Sequence, residues 1–230
     1  MNQLHKRIFD ISYKNKLSHI GSCITAVDLI DHIYSIKKKD EKFVLSSGHA
    51  GLALYVVIEK YEGIDAEKIW KHHGTHPDRC AECHIDCSSG SLGNGLPISL
   101  GMAFADRSKT VYCLVSDGEC NEGSIWEALR IGYEYHVTNL AIVFNFNGYG
   151  AYKEIDGRKL KEGIENYCHS FDANGPHLFF QETSMKEYPS FLQGQQAHYH
   201  ILTAKEYFDI MGEYDKSNIG KTPEMEGRKI

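Results

Sequence analysis

Asp117 and Asn147 each stand just past a short apolar run, in "VYCLVSDGE" and "LAIVFNFNGYG", and thirty positions separate them. A carboxylate, an amide oxygen and a nearby backbone carbonyl such as that of Tyr149 are three hard oxygen donors. That set suits Mg²⁺, which takes few protein ligands and completes its octahedron with phosphate and water. An Asp-Gly step by itself is ordinary turn chemistry. The spacing makes the pair informative, because in a parallel sheet thirty residues amount to one helix and one strand. Asp117 and Asn147 should then emerge side by side at the carboxyl edge of the sheet, where open α/β folds bind ligands.

The elements needed to hold that edge can be read along the chain. Apolar periodicity and turn residues predict helices over 2–16, 25–36, 50–61, 66–71, 96–105 and 122–135, with another near 158–168. Short apolar runs bounded by turn signals predict strands over 111–115, 140–144 and 178–181. The helix at 96 follows the glycine-rich turn "SSGSLGNG". Strand and helix alternate, which implies right-handed crossovers and a doubly wound, mostly parallel α/β sheet with helices on both faces. Residues 1–210 form one domain on this reading. The segment 211–230, "GEYDKSNIGKTPEMEGRKI" with the residue before it, turns polar without an apolar period and is expected to be a mobile tail.

Composition narrows the function classes. The net charge is −6 and the sole basic run is "KKKD" at 37–40, so no stripe of cations is available for nucleic acid. No stretch approaches the ~20 apolar residues of a membrane span, and the amphipathic N-terminus lacks a signal-peptide core. A cytoplasmic protein is expected. Its seven cysteines are then expected as reduced thiols. Cys80, Cys83 and Cys87 in "CAECHIDC", with His84 among them, could form a metal knuckle. Closed zinc sites usually draw on two separated ligand pairs, so loop-packing thiols are the favoured alternative.

The stretch "SDGECNEGSIWEA", followed by helix, strand and "NFN", resembles the thiamine diphosphate motif in its transketolase form. Other segments agree in order. "KNKLSHIGSCITAVDLI" resembles the N-terminal Ser-Gly-His-Pro-Gly segment of transketolases and places His19. "FVLSSGHAGLALYVVI" places His49, while "GTHPDRCAECHIDCSSGSLGNGLPISLGMAFA" places His76, Gly90 and Leu92. "FFQETSMKEYPSFLQGQQAHYHILTAKEY" resembles the last strand and its Trp-His-Gly turn, which places His198. Departures are visible too. Ser116 stands for the first Gly of Gly-Asp-Gly, Ala197 for Trp and Tyr199 for Gly. Between Tyr149 and the strand at Phe179 the chain is too short for the extra helix-strand-helix of full transketolases, so the sheet should be trimmed.

The resemblance implies a diphosphate-binding (PP-type) thiamine diphosphate fold and assigns roles. Asp117, Asn147 and the Tyr149 carbonyl would hold Mg²⁺. His49 and His198 would donate to the diphosphate, with the amides of Gly118 and Glu119. Gly90 and Leu92 would wall the cofactor rings, and His19 and His76 would act on substrate hydroxyls, His49 standing beside them in the catalytic set. Glu122, also in the catalytic set, would lie at a subunit interface in a carboxylate network reaching the partner's activating glutamate, with Glu127 a candidate to join it. Taken on chemistry alone, His49 could cap the following helix, and Glu122 and Glu127 could be first-turn charges. His72, His73, His84, His169 and His200 are expected as surface or loop residues, and Trp126 as core.

Transketolases also carry pyrimidine-binding and C-terminal domains, which this chain does not resemble. The resemblance therefore implies a separately encoded partner chain, an α₂β₂ heterotetramer with a possible homodimer of this chain alone, and transfer of a two-carbon ketol unit between sugars. Two alternatives stay open: a component of another thiamine diphosphate-dependent synthase or lyase acting on a 2-oxo acid, and a non-catalytic binding or scaffold protein.

Overall fold

The computed structural model describes residues 1–150, 153–171 and 174–218. Its centre is a parallel sheet of four strands in the order β1 (Lys42–Leu45), β2 (Val111–Ser116), β3 (Leu140–Phe146) and β4 (His177–Glu182). The register pairs Leu45 with Leu114, Ser116 with Asn145 and Phe144 with Phe180. Three strands match the expected runs, each extended by one or two residues. β1 is an addition to the expected set: four residues are too few to show a period, and the serines and glycine that follow read as a turn.

Alternation along the strands divides the core in two. Phe43, Leu45 and Leu114 point to the face covered by α1 (Gln3–Asn15), α2 (Ile20–Ile36), α3 (Gly51–Glu62) and α4 (Ala66–His73). Val44, Cys113, Val115, Ile142 and Phe144 point to the face covered by α5 (Gly95–Ala105), α6 (Gly123–Glu134) and α7 (Gly157–His169). The expected α/β layering with helices on both faces is thus observed. α3 is buried from Gly51 through Ile58, which explains why it is apolar all round. Each such Leu, Val or Ile contributes roughly 1.5–3 kcal/mol by leaving water.

Most helix boundaries fall within two residues of expectation, and two differences are larger. α2 starts at Ile20 rather than Thr25, because His19 takes a left-handed conformation (φ 62°) as its N-cap and Ile20, Cys23, Ile24 and Val27 then bury on one face. α8 (Ala204–Asn218) runs into the segment expected to be a mobile tail. The helix has a packing cause: Ile210, Met211 and Tyr214 are buried, Tyr207 stacks on Tyr13 at 4.3 Å, and its hydroxyl donates to Asp10 Oδ1 at 2.7 Å. Residues 219–230 of that segment lie outside the described residues. One helix, α7, links β3 to β4, in keeping with the short connection seen in the sequence. Among the described residues no helix is long and apolar enough to cross a membrane.

Candidate functional site

The site grows from the carboxyl ends of β2 and β3. Their register aligns Ser116 with Asn145, so the turns that follow carry Asp117 and Asn147 out side by side. Asp117 is fully buried; Oδ1 accepts from the Gly118 amide at 2.9 Å and Oδ2 from the Gly148 amide at 2.7 Å. Burial pushes its carboxyl up to about 6, against the pull of those amides. Among the described residues no lysine or arginine pairs with it. Asn147 Oδ1 accepts from the Tyr149 amide at 2.9 Å, which keeps the side chain turned back over its own loop. A Cβ at Gly118 would sit 3.3 Å from Gly150 Cα and 3.7 Å from the Tyr149 carbonyl oxygen, so the two turns touch backbone to backbone. A buried carboxylate without a cationic partner, beside an amide oxygen and a backbone carbonyl, is a donor set that fits a hard divalent cation.

Glu119, two residues on, is also fully buried but is spent on the scaffold. Its Oε1 accepts from Ser46 Oγ at 2.6 Å and the Gly93 amide at 3.1 Å; Oε2 accepts from the Ser116 amide at 2.9 Å and Ser116 Oγ at 3.2 Å. One carboxylate therefore ties the ends of β1 and β2 to the glycine-rich loop. Burial raises its pKa and the four donors oppose the rise. The resemblance points to the Glu119 backbone amide; the structural use of its side chain is visible only in the fold.

Three histidines from distant segments meet opposite these turns. His49 lies in the short 3-10 turn after β1, His19 caps α2, and His198 sits in a 3-10 turn near the C-terminus. Their ring centroids are 4.4 Å (His19–His198), 5.4 Å (His49–His198) and 5.6 Å (His19–His49) apart. The His19 amide donates to the His198 carbonyl at 2.9 Å, and Ser18 Oγ lies 2.8 Å from His19 Nδ1. Burial, followed by mutual repulsion, lowers His49 to about 3 and His19 to about 4; burial also lowers His198. Three neutral imidazoles can each donate one N–H toward an anion.

The turns share a cavity with His49 and His198, lined also by Leu92, Gly118, Asn147 and Tyr149; His19 touches both of those rings but is not part of the lining. His76 is exposed and stands at its side; its ring covers Gly90, where a Cβ would lie 3.0 Å from His76 Cδ2 and φ is 151°. Gly90 in turn presses on Gly48, since a Cβ there would meet the Gly90 nitrogen at 2.6 Å. Glu122 and Glu127 are exposed at the start of α6, away from that lining. Sequence reasoning missed Gly21, Ser22, Thr25, Met185 and Leu192, which also line the cavity. It also missed a relay beneath them in which Thr183 Oγ1 donates to Asn145 Oδ1 at 2.6 Å and Asn145 Nδ2 donates to Thr25 Oγ1 at 3.4 Å. The buried Asn145 in an apolar strand was the available signal.

Residues 35–189 match a family model described as the thiamine diphosphate-binding domain of transketolase. The chain belongs to the transketolase family. Human transketolase is 32% identical over 69% of this chain, and the match spans 28% of that enzyme's own length, as it does for the transketolases of mouse and rat. One of the subunits of the apulose-4-phosphate transketolase of Phocaeicola vulgatus is 27% identical over 94% of this chain and 95% of its own length. The fold agrees with solved transketolases from Campylobacter jejuni (TM-score 0.71, 17% identity, 91% of this chain and 41% of that one) and Leishmania mexicana (0.69, 18%, 92% and 40%).

Proposed function

We propose that this chain is the diphosphate- and Mg²⁺-binding subunit of a two-chain, thiamine diphosphate-dependent transketolase-like enzyme that moves a two-carbon ketol unit between sugars or sugar phosphates. The observation that carries the reading is the emergence of Asp117 and Asn147 at adjacent strand ends, beside a cavity that Asn147 lines together with His49 and His198. The cofactor would supply a stabilised carbanion. The chain's own residues would anchor and orient. Asp117, Asn147 and the Tyr149 carbonyl would hold the cation, and the buried charge on Asp117 favours that role because it has no other counter-ion in the described chain. His49 and His198 would donate to diphosphate oxygens alongside the Gly118 and Glu119 amides. Leu92 and Gly90 would pack on the rings. His19 and His76 would exchange protons with substrate hydroxyls, with the exposed His76 nearer the entrance.

A partner chain completes the proposal. The end-to-end match to a relative that is itself named as a subunit of a transketolase supports it, and so does the surface. Ile98, Gly101 and Phe104 stand exposed at three-residue spacing on α5, an apolar stripe of the kind that interfaces cover. Glu122 would meet the partner beside it in an α₂β₂ assembly. Seven unpaired cysteines fit a reducing cytoplasm. The test is to co-express the chain with a candidate pyrimidine-domain partner and screen ketose donors with thiamine diphosphate and Mg²⁺. Ketol transfer should need both chains, and transfer by this chain alone would overturn the two-chain reading.

A further inference from the structure

The loop between α4 and α5 carries a Cys-x-x-Cys pair, Cys80 and Cys83. It folds back on itself: the Cys80 amide donates to the Ile85 carbonyl at 3.0 Å, the Ile85 amide to the Cys80 carbonyl at 2.9 Å, and the His84 amide to the Ala81 carbonyl at 3.2 Å. His84 takes a left-handed conformation (φ 55°) to close the turn. His73, the last residue of α4, comes in from outside the loop, and one ligand atom from each of His73, Cys80 and Cys83 lies within 4.8 Å of the others. A surface or loop position is expected for His73 from the sequence, yet its Nε2 is buried and has no hydrogen-bond partner among the described residues. Leaving a buried nitrogen of this kind unpartnered is unfavourable unless something binds it. The companions that the sequence suggests do not join: Cys87 is buried in the core with its thiol on the Ser88 carbonyl at 3.1 Å, and exposed His84 faces Glu62 at 3.8 Å.

We propose that His73, Cys80 and Cys83 bind Zn²⁺, with water in the fourth position, and that the ion ties the end of α4 to the loop carrying His76. Two sulfurs and an imidazole are a borderline-soft set that selects zinc over Mg²⁺. Two thiolates and a neutral imidazole cancel the ion's charge, so the half-buried cluster remains neutral once both thiols release their protons to solvent. Bond lengths of about 2.3 Å to sulfur and 2.0 Å to nitrogen put tetrahedral ligands roughly 3.5–3.8 Å apart. Side-chain rotation that moves each ligand atom by about an ångström closes the observed spacing to that value. A Cys80–Cys83 disulfide would leave the His73 nitrogen unsatisfied, whereas a metal uses all three groups. The ion would close a short loop, residues 73–83, with His76 inside it, and so restrict where that imidazole can stand.

The test reads metal rather than turnover and so stands apart from the thiamine diphosphate reading. The full chain, purified under reducing conditions and dialysed against EDTA, should retain about one zinc per chain by elemental analysis. The Cys80→Ser/Cys83→Ser and His73→Ala variants should retain at least about tenfold less. Stripped wild-type chain, loaded with Co²⁺, should develop thiolate-to-cobalt charge-transfer absorption, and added Zn²⁺ should raise its Tm. These last two readouts need no variant to fold. A metal-free chain without a cobalt spectrum would overturn the site, as would variants that keep their zinc or a native Cys80–Cys83 disulfide seen by mass spectrometry.

Discussion

Glu119 and Ser46 share a 2.6 Å hydrogen bond that joins the turn after β2 to the end of β1, while Asp117, two residues before Glu119, reaches across to β3 instead. Two buried carboxylates in one turn thus divide between holding the scaffold and facing the cavity. Replacing Glu119 by Ala would strip partners from the Ser46 hydroxyl and the Gly93 and Ser116 amides at once. We expect a loss of about 3 kcal/mol, read from urea unfolding. A midpoint unchanged from wild type would show that this carboxylate does not hold the sheet edge.

Asp117→Asn should behave in the opposite way. It removes a buried charge that burial already disfavours, so stability should stay within about 1 kcal/mol of wild type. Mg²⁺-dependent binding of thiamine diphosphate by the assembled enzyme should fall by at least ~10²-fold, since even the partners of metal ligands are worth roughly 10–100-fold. Calorimetry giving wild-type cofactor affinity would remove Asp117 from the cation site.

His76 and His49 can be separated by kinetics. His76→Ala, on the exposed side over Gly90, should lower turnover by ~10²–10⁴ with little change in cofactor affinity. His49→Ala, in the buried triangle, should weaken cofactor binding and turnover together. Equal small losses at both positions would mean that substrate enters elsewhere.

The histidine triangle also sets a pH dependence. His49 and His19 titrate at about 3 and about 4 when folded and near ~6.5 when unfolded. The unfolded chain therefore binds more protons throughout that window, and stability must fall as pH drops below ~6.5, down to the folded values. His49→Asn should flatten this acid arm. Urea midpoints between about pH 4 and 8 that fall equally steeply in wild type and variant would place the acid sensitivity in other groups.

Local repetition makes most of the elements legible in the sequence. The 3.6-residue period follows from backbone geometry between near neighbours, so α1, α4 and α7 can be read from it, while α3, α5, β2 and β3 show as apolar runs of helix or strand length bounded by turn residues. The thirty-residue interval places Asp117 and Asn147 together for the same reason, because one helix and one parallel strand have nearly fixed lengths. What depends on remote packing cannot be read that way. β1 is a strand because β2 lies beside it, and the polar-looking end of α8 is helical because α1 and its neighbours offer Ile210 and Tyr214 somewhere to bury. The burial of Glu119, the Thr25–Asn145–Thr183 relay and the meeting of His73 with Cys80 and Cys83 each join segments far apart or across a loop. Their geometry is set by the register of whole elements against one another, and no run of neighbouring residues carries that register.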